Sequence, residues 1–158
     1  MKKTLTIALV AHDNRKADMV DWCFYNSDFL KPHNLVCTGT TGRLIQEAYQ
    51  SKGINAKITR MNSGPLGGDA EIAAMVVRKE IDLAIFLIDD LNAQPHEADI
   101  MMLLRQCRVH NVPIACNRYS ADLMLTSSLW DEDDYVPAVP KYVKFDRDEF
   151  EAKYGLKR

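Results

Sequence analysis

The residues able to do chemistry fall in separate short segments: His12-Asp13, Thr38-Gly39-Thr40-Thr41-Gly42, Ser63-Gly64-Pro65-Leu66-Gly67-Gly68-Asp69, and Asp89, His96 and Asp99. The Thr38 to Gly42 run joins hydroxyl donors to glycines that permit close backbone approach, directly before a helical stretch. That combination suits a phosphate, which takes N–H and O–H donors and the positive end of a helix dipole; a Thr-capped helix start is the bland alternative. The run has neither the P-loop lysine nor the GxGxxG pattern, so neither an ATPase nor a dinucleotide site is supported. Ser63-Gly64 adds donors and Lys16 can supply the compensating charge. A donor set this modest fits a small phosphate ester rather than a nucleotide.

Asp69 ends the glycine-rich loop. It reads either as a helix N-cap, a position aspartate favours, or as a carboxylate that Gly67-Gly68 leave open to close approach. His96 precedes a helix, where the dipole biases an imidazole toward its neutral form, able to donate a hydrogen bond to a carbonyl. Asp89 and Asp99 flank it. A carboxylate and such an imidazole together can remove a carbon-bound proton next to a ketone. His33 and His110, in a loop and at a helix end, have no partners in sequence and read as surface residues. The histidines and carboxylates lack a ligand spacing such as HExxH, so no metal is expected.

These segments must be carried by elements that bring them together. Apolar runs at Leu5–Ala11, Leu35–Cys37, Ala56–Met61, Leu83–Ile88 and Pro113–Cys116 read as five strands. Between them lie helical patterns: one through Met19, Val20, Cys23 and Phe24 ending before Pro32, one through Leu44, Ile45 and Ala48, one over Ala70–Lys79, and one through Ile100, Leu103, Leu104 and Cys107. Ser120 is the expected N-cap of a last helix. From Trp130 the texture changes to an acidic, proline-containing tail. Alternation of this kind predicts an α/β fold, a doubly wound parallel sheet covered by helices on both faces in three layers. In such sheets ligands sit beyond the carboxyl ends of the strands, and every reactive segment follows a strand, with Asn117 after the fifth.

The chain of 158 residues is one domain's length, and its 47% hydrophobic and 27% charged content is that of a soluble globular protein. A net charge of −2 with no basic stripe argues against nucleic acid. No apolar run is long enough for a bilayer. The apolar segment after Met1-Lys2-Lys3 leads into His12-Asp13-Asn14-Arg15-Lys16 rather than small cleavage-site residues, so it reads as a buried strand and not an export signal. Cys23, Cys37, Cys107 and Cys116 are scattered, without CxxC, as reduced thiols of a cytoplasmic protein would be.

The succession Val10-Ala11-His12-Asp13, Thr38-Gly39-Thr40-Thr41-Gly42, Ser63-Gly64-Pro65-Leu66-Gly67-Gly68-Asp69 and Asp89 through Leu91-Asn92, His96 and Asp99 resembles methylglyoxal synthase, from about residue 5 to residue 125. The resemblance implies a flavodoxin-like sheet in a homo-oligomer, typically a hexamer. It implies a lyase that converts dihydroxyacetone phosphate to methylglyoxal and inorganic phosphate without a cofactor. It also implies roles: Lys16, Thr38 to Thr41, Ser63 and Gly64 at the phosphate with His12 nearby, Asp69 as general base, His96 at the substrate oxygens, Asp89 and Asp99 as supporting carboxylates. Inorganic phosphate is then product and candidate inhibitor. Two positions depart from the family pattern. Asp90 stands where proline is common, either raising the pKa of Asp89 or facing solvent. The C-terminal arginine that reaches a neighbouring subunit has only Arg147 and Arg158 as candidates. Regulatory domains of the same fold, which bind phosphorylated effectors and catalyse nothing, are the main alternative; a sugar-phosphate isomerase or aldolase is a further one.

Overall fold

The computed structural model describes residues 3–156. Its strands are β1 (Thr6–Ala11), β2 (Asn34–Cys37), β3 (Lys57–Arg60), β4 (Leu83–Leu87) and β5 (Ile114–Ala115). The helices are α1 (Lys16–Tyr25), α2 (Ser27–Leu30), α3 (Gly39–Ser51), α4 (Gly68–Val77), α5 (Glu97–Val109), α6 (Arg118–Leu125) and α7 (Arg147–Tyr154). All strand pairs are parallel, in the order β3-β2-β1-β4-β5, with Ile7 level with Leu35 on one side and Leu83 on the other. The strand order therefore reverses between β1 and β4, and the crevice between their carboxyl ends is where doubly wound sheets bind ligands.

Side chains on neighbouring strand positions point to opposite faces, which divides the core in two. Ile7, Leu9 and Ala11 pack with Leu35, Leu83 and Ile85 against Met19, Trp22 and Cys23 of α1, Ile45 and Tyr49 of α3 and Ala121 of α6. Ala8, Val10 and Phe86 pack on the other face against Ile72 and Val76 of α4 and Ile100, Leu103 and Cys107 of α5. β1 and β4 are buried on both faces, as central strands of a parallel sheet must be. The expected three-layer α/β fold is thus the observed one.

The edges depart from the sequence expectation. β3 is Lys57–Arg60 rather than Ala56–Met61, and β5 shrinks to two residues, because an edge strand has only one neighbour to bond. The first helix is interrupted at Asn26, whose side-chain amide donates to the Trp22 carbonyl at 3.0 Å. Ser120 is not the cap of α6: Asn117 is, its Oδ1 accepting from the Ser120 amide at 2.8 Å. Asparagine, three residues earlier than the expected cap, satisfies an N–H that α6 cannot bond internally. His33 is not a free surface residue: it is half-buried, and its Nδ1 accepts from the Leu5 amide at 2.9 Å. His110 is also half-buried, at the end of α5.

Beyond a 3₁₀ turn at Ser128–Asp131 the chain runs extended over the end of α5, where the Asn111 amide side chain donates to the Ala138 carbonyl at 2.6 Å. It closes in α7, capped by Asp146 and ended by Gly155 in the left-handed region at φ 63°. Among the described residues no helix is long and apolar enough to cross a membrane.

One glycine is dictated by close approach. A Cβ on Gly68 would overlap the Asn62 carbonyl oxygen and come within 3.0 Å of Thr38 Cγ2, so the loop after β3 can lie against the loop after β2 only without a side chain there. Gly68→Ala is expected to destabilise the fold by about 2–3 kcal/mol, read as a lower urea midpoint with an unchanged slope.

Candidate active site

Beyond the carboxyl ends of β1, β2 and β4 lies a cavity of about 230 Å³, lined among others by His12, Lys16, Thr38, Thr40, Thr41, Ser63, Gly64, Asp69 and His96. Two groups of side chains face each other across it. One belongs to β1, α1 and α3. Lys16, the first residue of α1, has its Nζ held by the Ala11 carbonyl at 3.0 Å and the Asp13 carboxylate at 2.7 Å. Thr38 and Thr41 are buried at the start of α3, where the Thr38 hydroxyl makes no capping bond and instead meets the Thr41 hydroxyl at 3.4 Å. The first-turn amides of α3 have no intrahelical acceptor. Hydroxyls, amides and an ammonium thus converge where an anion would be held.

The other group comes from α4 and α5. Asp69 is in the first turn of α4 and fully buried, yet neither carboxylate oxygen has an aligned hydrogen bond. It caps nothing. His96, at the N-terminus of α5, puts Nε2 3.0 Å from Asp69 Oδ2, a close contact outside hydrogen-bond alignment, and its Nδ1 is buried and unpartnered. Gly64 makes room for this pair, since a Cβ there would come 2.9 Å from His96 Nε2. Burial pushes the Asp69 pKa up, the nearby Asp99 charge adds to this, and His96 and Lys16 act against it. The energetic reason is that an ion loses its hydration without a full replacement.

His12 joins the two groups. It is buried, its ring meets Phe86 and His96 edge-on with centroids 5.2 and 5.6 Å away, and its Nδ1 accepts from the Asp89 amide at 2.9 Å. Burial lowers its pKa, helped by His96 and Lys16.

Three residues given site roles, Gly39, Asp89 and Asp99, do not line the cavity. Gly39 lies behind the wall, its amide donating to the Asn62 carbonyl at 3.0 Å. Asp99 is half-buried on α5 and is felt at Asp69 through its charge. The Asp89 carboxylate is taken up by Asn14, Leu91 and Asn92; these bonds lower its pKa. Of the two readings of Asp90, a raised Asp89 pKa is not what the structure gives, and Asp90 is exposed to solvent. Arg147 pairs with Glu151 at 2.8 Å within α7, and Arg158 lies outside the described residues. Sequence reasoning missed Gln94 of the lining. Gln94 carries no signal beyond its place before Pro95-His96.

The MGS-like domain family matches residues 18–116. A methylglyoxal synthase of Treponema socranskii is 66% identical over 157 residues, 99% of each chain. The chain belongs to the methylglyoxal synthase family. Another methylglyoxal synthase, of Pseudoalteromonas atlantica, is 47% identical over 90% of this chain and 100% of its own. The crystal structure of methylglyoxal synthase from Elizabethkingia anophelis superposes with a TM-score of 0.76 at 42% identity, covering 88% of both chains. Methylglyoxal synthase relatives thus match this chain in its sequence and in its fold.

The raised pKa of Asp69 has a stability consequence. The folded chain holds this proton to higher pH than the unfolded chain, so ionisation costs stability as pH rises from the ordinary value of 3.8 through the folded one. Asp69→Asn, which keeps the shape without the charge, is expected to raise the melting temperature by a few degrees at neutral pH. Calorimetry should show that gain vanish below the ordinary carboxylate value.

Proposed function

We propose that this chain is a carbon–oxygen lyase acting on dihydroxyacetone phosphate, and that it works without a cofactor. The observation that carries this reading is Asp69: a fully buried carboxylate with both oxygens free of aligned hydrogen bonds, beside an imidazole, in a cavity whose opposite wall is built of anion donors.

Asp69 takes a proton from the hydroxymethyl carbon, and the C–H electron pair becomes the π bond of an enediolate. His96 donates toward the oxygen on which charge develops, a task for which a fixed donor in a dry site is effective. The terminal hydroxyl then gives up its proton. Its electrons move through the double bond to expel phosphate, and the resulting enol takes a proton on its methylene to become the methyl group of methylglyoxal. Lys16, Thr38, Thr40, Thr41, Ser63 and Gly64 hold the phosphate so that its C–O bond stands out of the enediolate plane, which aligns it with the π system. His12 lies beside it. Asp99 adds to the electrostatic pressure on Asp69.

The purified protein is expected to release methylglyoxal and inorganic phosphate in equal amounts, and Asp69→Asn to lower kcat by about 10²–10⁴-fold. On the acid side kcat/KM should fall at a pH above the ordinary carboxylate value, because the base must be ionised. Phosphate ester bound without turnover would instead mean a sensing domain, and appearance of an aldose phosphate an isomerase.

A homo-hexamer, cytoplasmic location and inhibition by inorganic phosphate belong to the same proposal. The oligomer is supported by the tail, which exposes Val136, Val139, Tyr142, Val143, Phe145 and Leu156, more apolar surface than an isolated chain normally shows in one stretch. The location is supported by four free cysteines. Light scattering on the eluting peak is expected to give the mass of six chains; a monomer would sink the oligomer.

A further inference from the structure

The crevice between β1 and β4 is stitched together by hydrogen bonds that the reaction sequence above does not use. The His12 amide donates to the Leu87 carbonyl at 3.2 Å, and Arg15 Nη1 donates to the Ile88 carbonyl at 3.0 Å. The Asp89 carboxylate then receives a complete set of neutral donors. Oδ1 accepts from the Leu91 amide at 3.0 Å, an Asx turn, while Oδ2 accepts from the side-chain amides of Asn14 and Asn92, each at 2.9 Å. Asn14 follows His12 by two residues, so it ties the loop after β1 to the loop after β4. The Asp89 backbone amide, held in place by this arrangement, donates to His12 Nδ1 at 2.9 Å.

An imidazole nitrogen that accepts cannot carry the proton, so neutral His12 must bear it on Nε2. Nε2 is buried and has no partner in the protein, while His12 lines the cavity. The other tautomer would turn a lone pair on Nε2 toward an anionic ligand, which repels it. We propose that Asn14 and Asn92 are positioning residues: by holding the Asp89 carboxylate they keep the Asp89 amide on His12 Nδ1, and so fix the His12 proton on Nε2 as a hydrogen-bond donor to the substrate. Asp89 accordingly acts through its main chain, its carboxylate serving as the anchor. This inference rests on the cavity being the substrate site, and it deepens that reading.

The test is a long-range ¹⁵N–¹H NMR spectrum of the histidine rings, in the full chain, at a pH where His12 is neutral. The wild type and Asn14→Ala/Asn92→Ala are compared. Both asparagines are exposed, so their truncation leaves the core intact. The wild type should show His12 as pure Nε2–H, and the double variant a mixture of tautomers with kcat/KM lowered about tenfold. Asn14→Ala alone should show a smaller shift in the same direction. A wild-type Nδ1–H signal would overturn the proposal. So would an unchanged Nε2–H signal in the double variant, or mixed tautomers with unchanged kcat/KM. The tautomer is read without turnover. A protein that forms no methylglyoxal but loses the Nε2–H signal on truncation therefore fails the lyase reading while keeping the positioning role.

Discussion

The burial of an ionisable carboxylate governs this site. Asp69 could have been placed at the rim of α4 and hydrated at no cost. Instead it lies in the first turn with no exposed surface, and its oxygens are not given the hydrogen bonds that normally accompany such burial. Nearly everything around it follows from that placement. Gly64 is empty of side chain because His96 must come close, Gly68, next to Asp69 in the chain, because the Asn62 carbonyl and Thr38 leave no room for a Cβ, and Lys16 lies across the cavity as a partly compensating charge. A group held this way is basic for the same reason that it is costly: burial penalises its charged form.

The sheet makes this arrangement possible. Parallel strands send every carboxyl end to the same edge, and the reversal of order between β1 and β4 separates the loops there enough to leave a crevice. His12 and Asp89 lie on the two sides of that reversal and are hydrogen-bonded across it. The chemistry is therefore concentrated where the topology leaves room, rather than where any one loop is rich in reactive residues.

Much of this was legible in the sequence where periodicity and burial coincide. Leu83–Leu87 is an unbroken apolar run because both faces of β4 are covered, and the i, i+3, i+4, i+7 pattern of Ile100 to Cys107 marks the side of α5 that meets the sheet. The edges were less legible: β3 and β5 are short because hydrogen-bond partners, not side chains, decide where they stop. The clustering of polar loops pointed to the cavity, but residue type does not say which way a side chain turns. Asp89 looked like one more carboxylate for the site, and its Asx turn and two asparagines direct it elsewhere. Asn14 and Asn92 were given no role because an amide beside a strand end is ordinary in sequence and acquires meaning only when two loops meet.

The division of the core has a consequence for how such a site can diverge. Lys16, Thr38 and Thr41 ride on α1 and α3, which pack on one face of the sheet, while Asp69 and His96 ride on α4 and α5, which pack on the other. The lysine and threonines of the anion cradle and the proton-transfer pair are thus two half-sites mounted on separate hydrophobic layers, with Ser63 and Gly64 joining the cradle from the loop before α4. Substitutions that repack one layer can shift one half-site as a block while leaving the internal geometry of the other intact. The angle between the held anion and the abstracted proton then becomes a property of interlayer registry, open to gradual adjustment from deep inside the core without any change among the residues that touch the ligand.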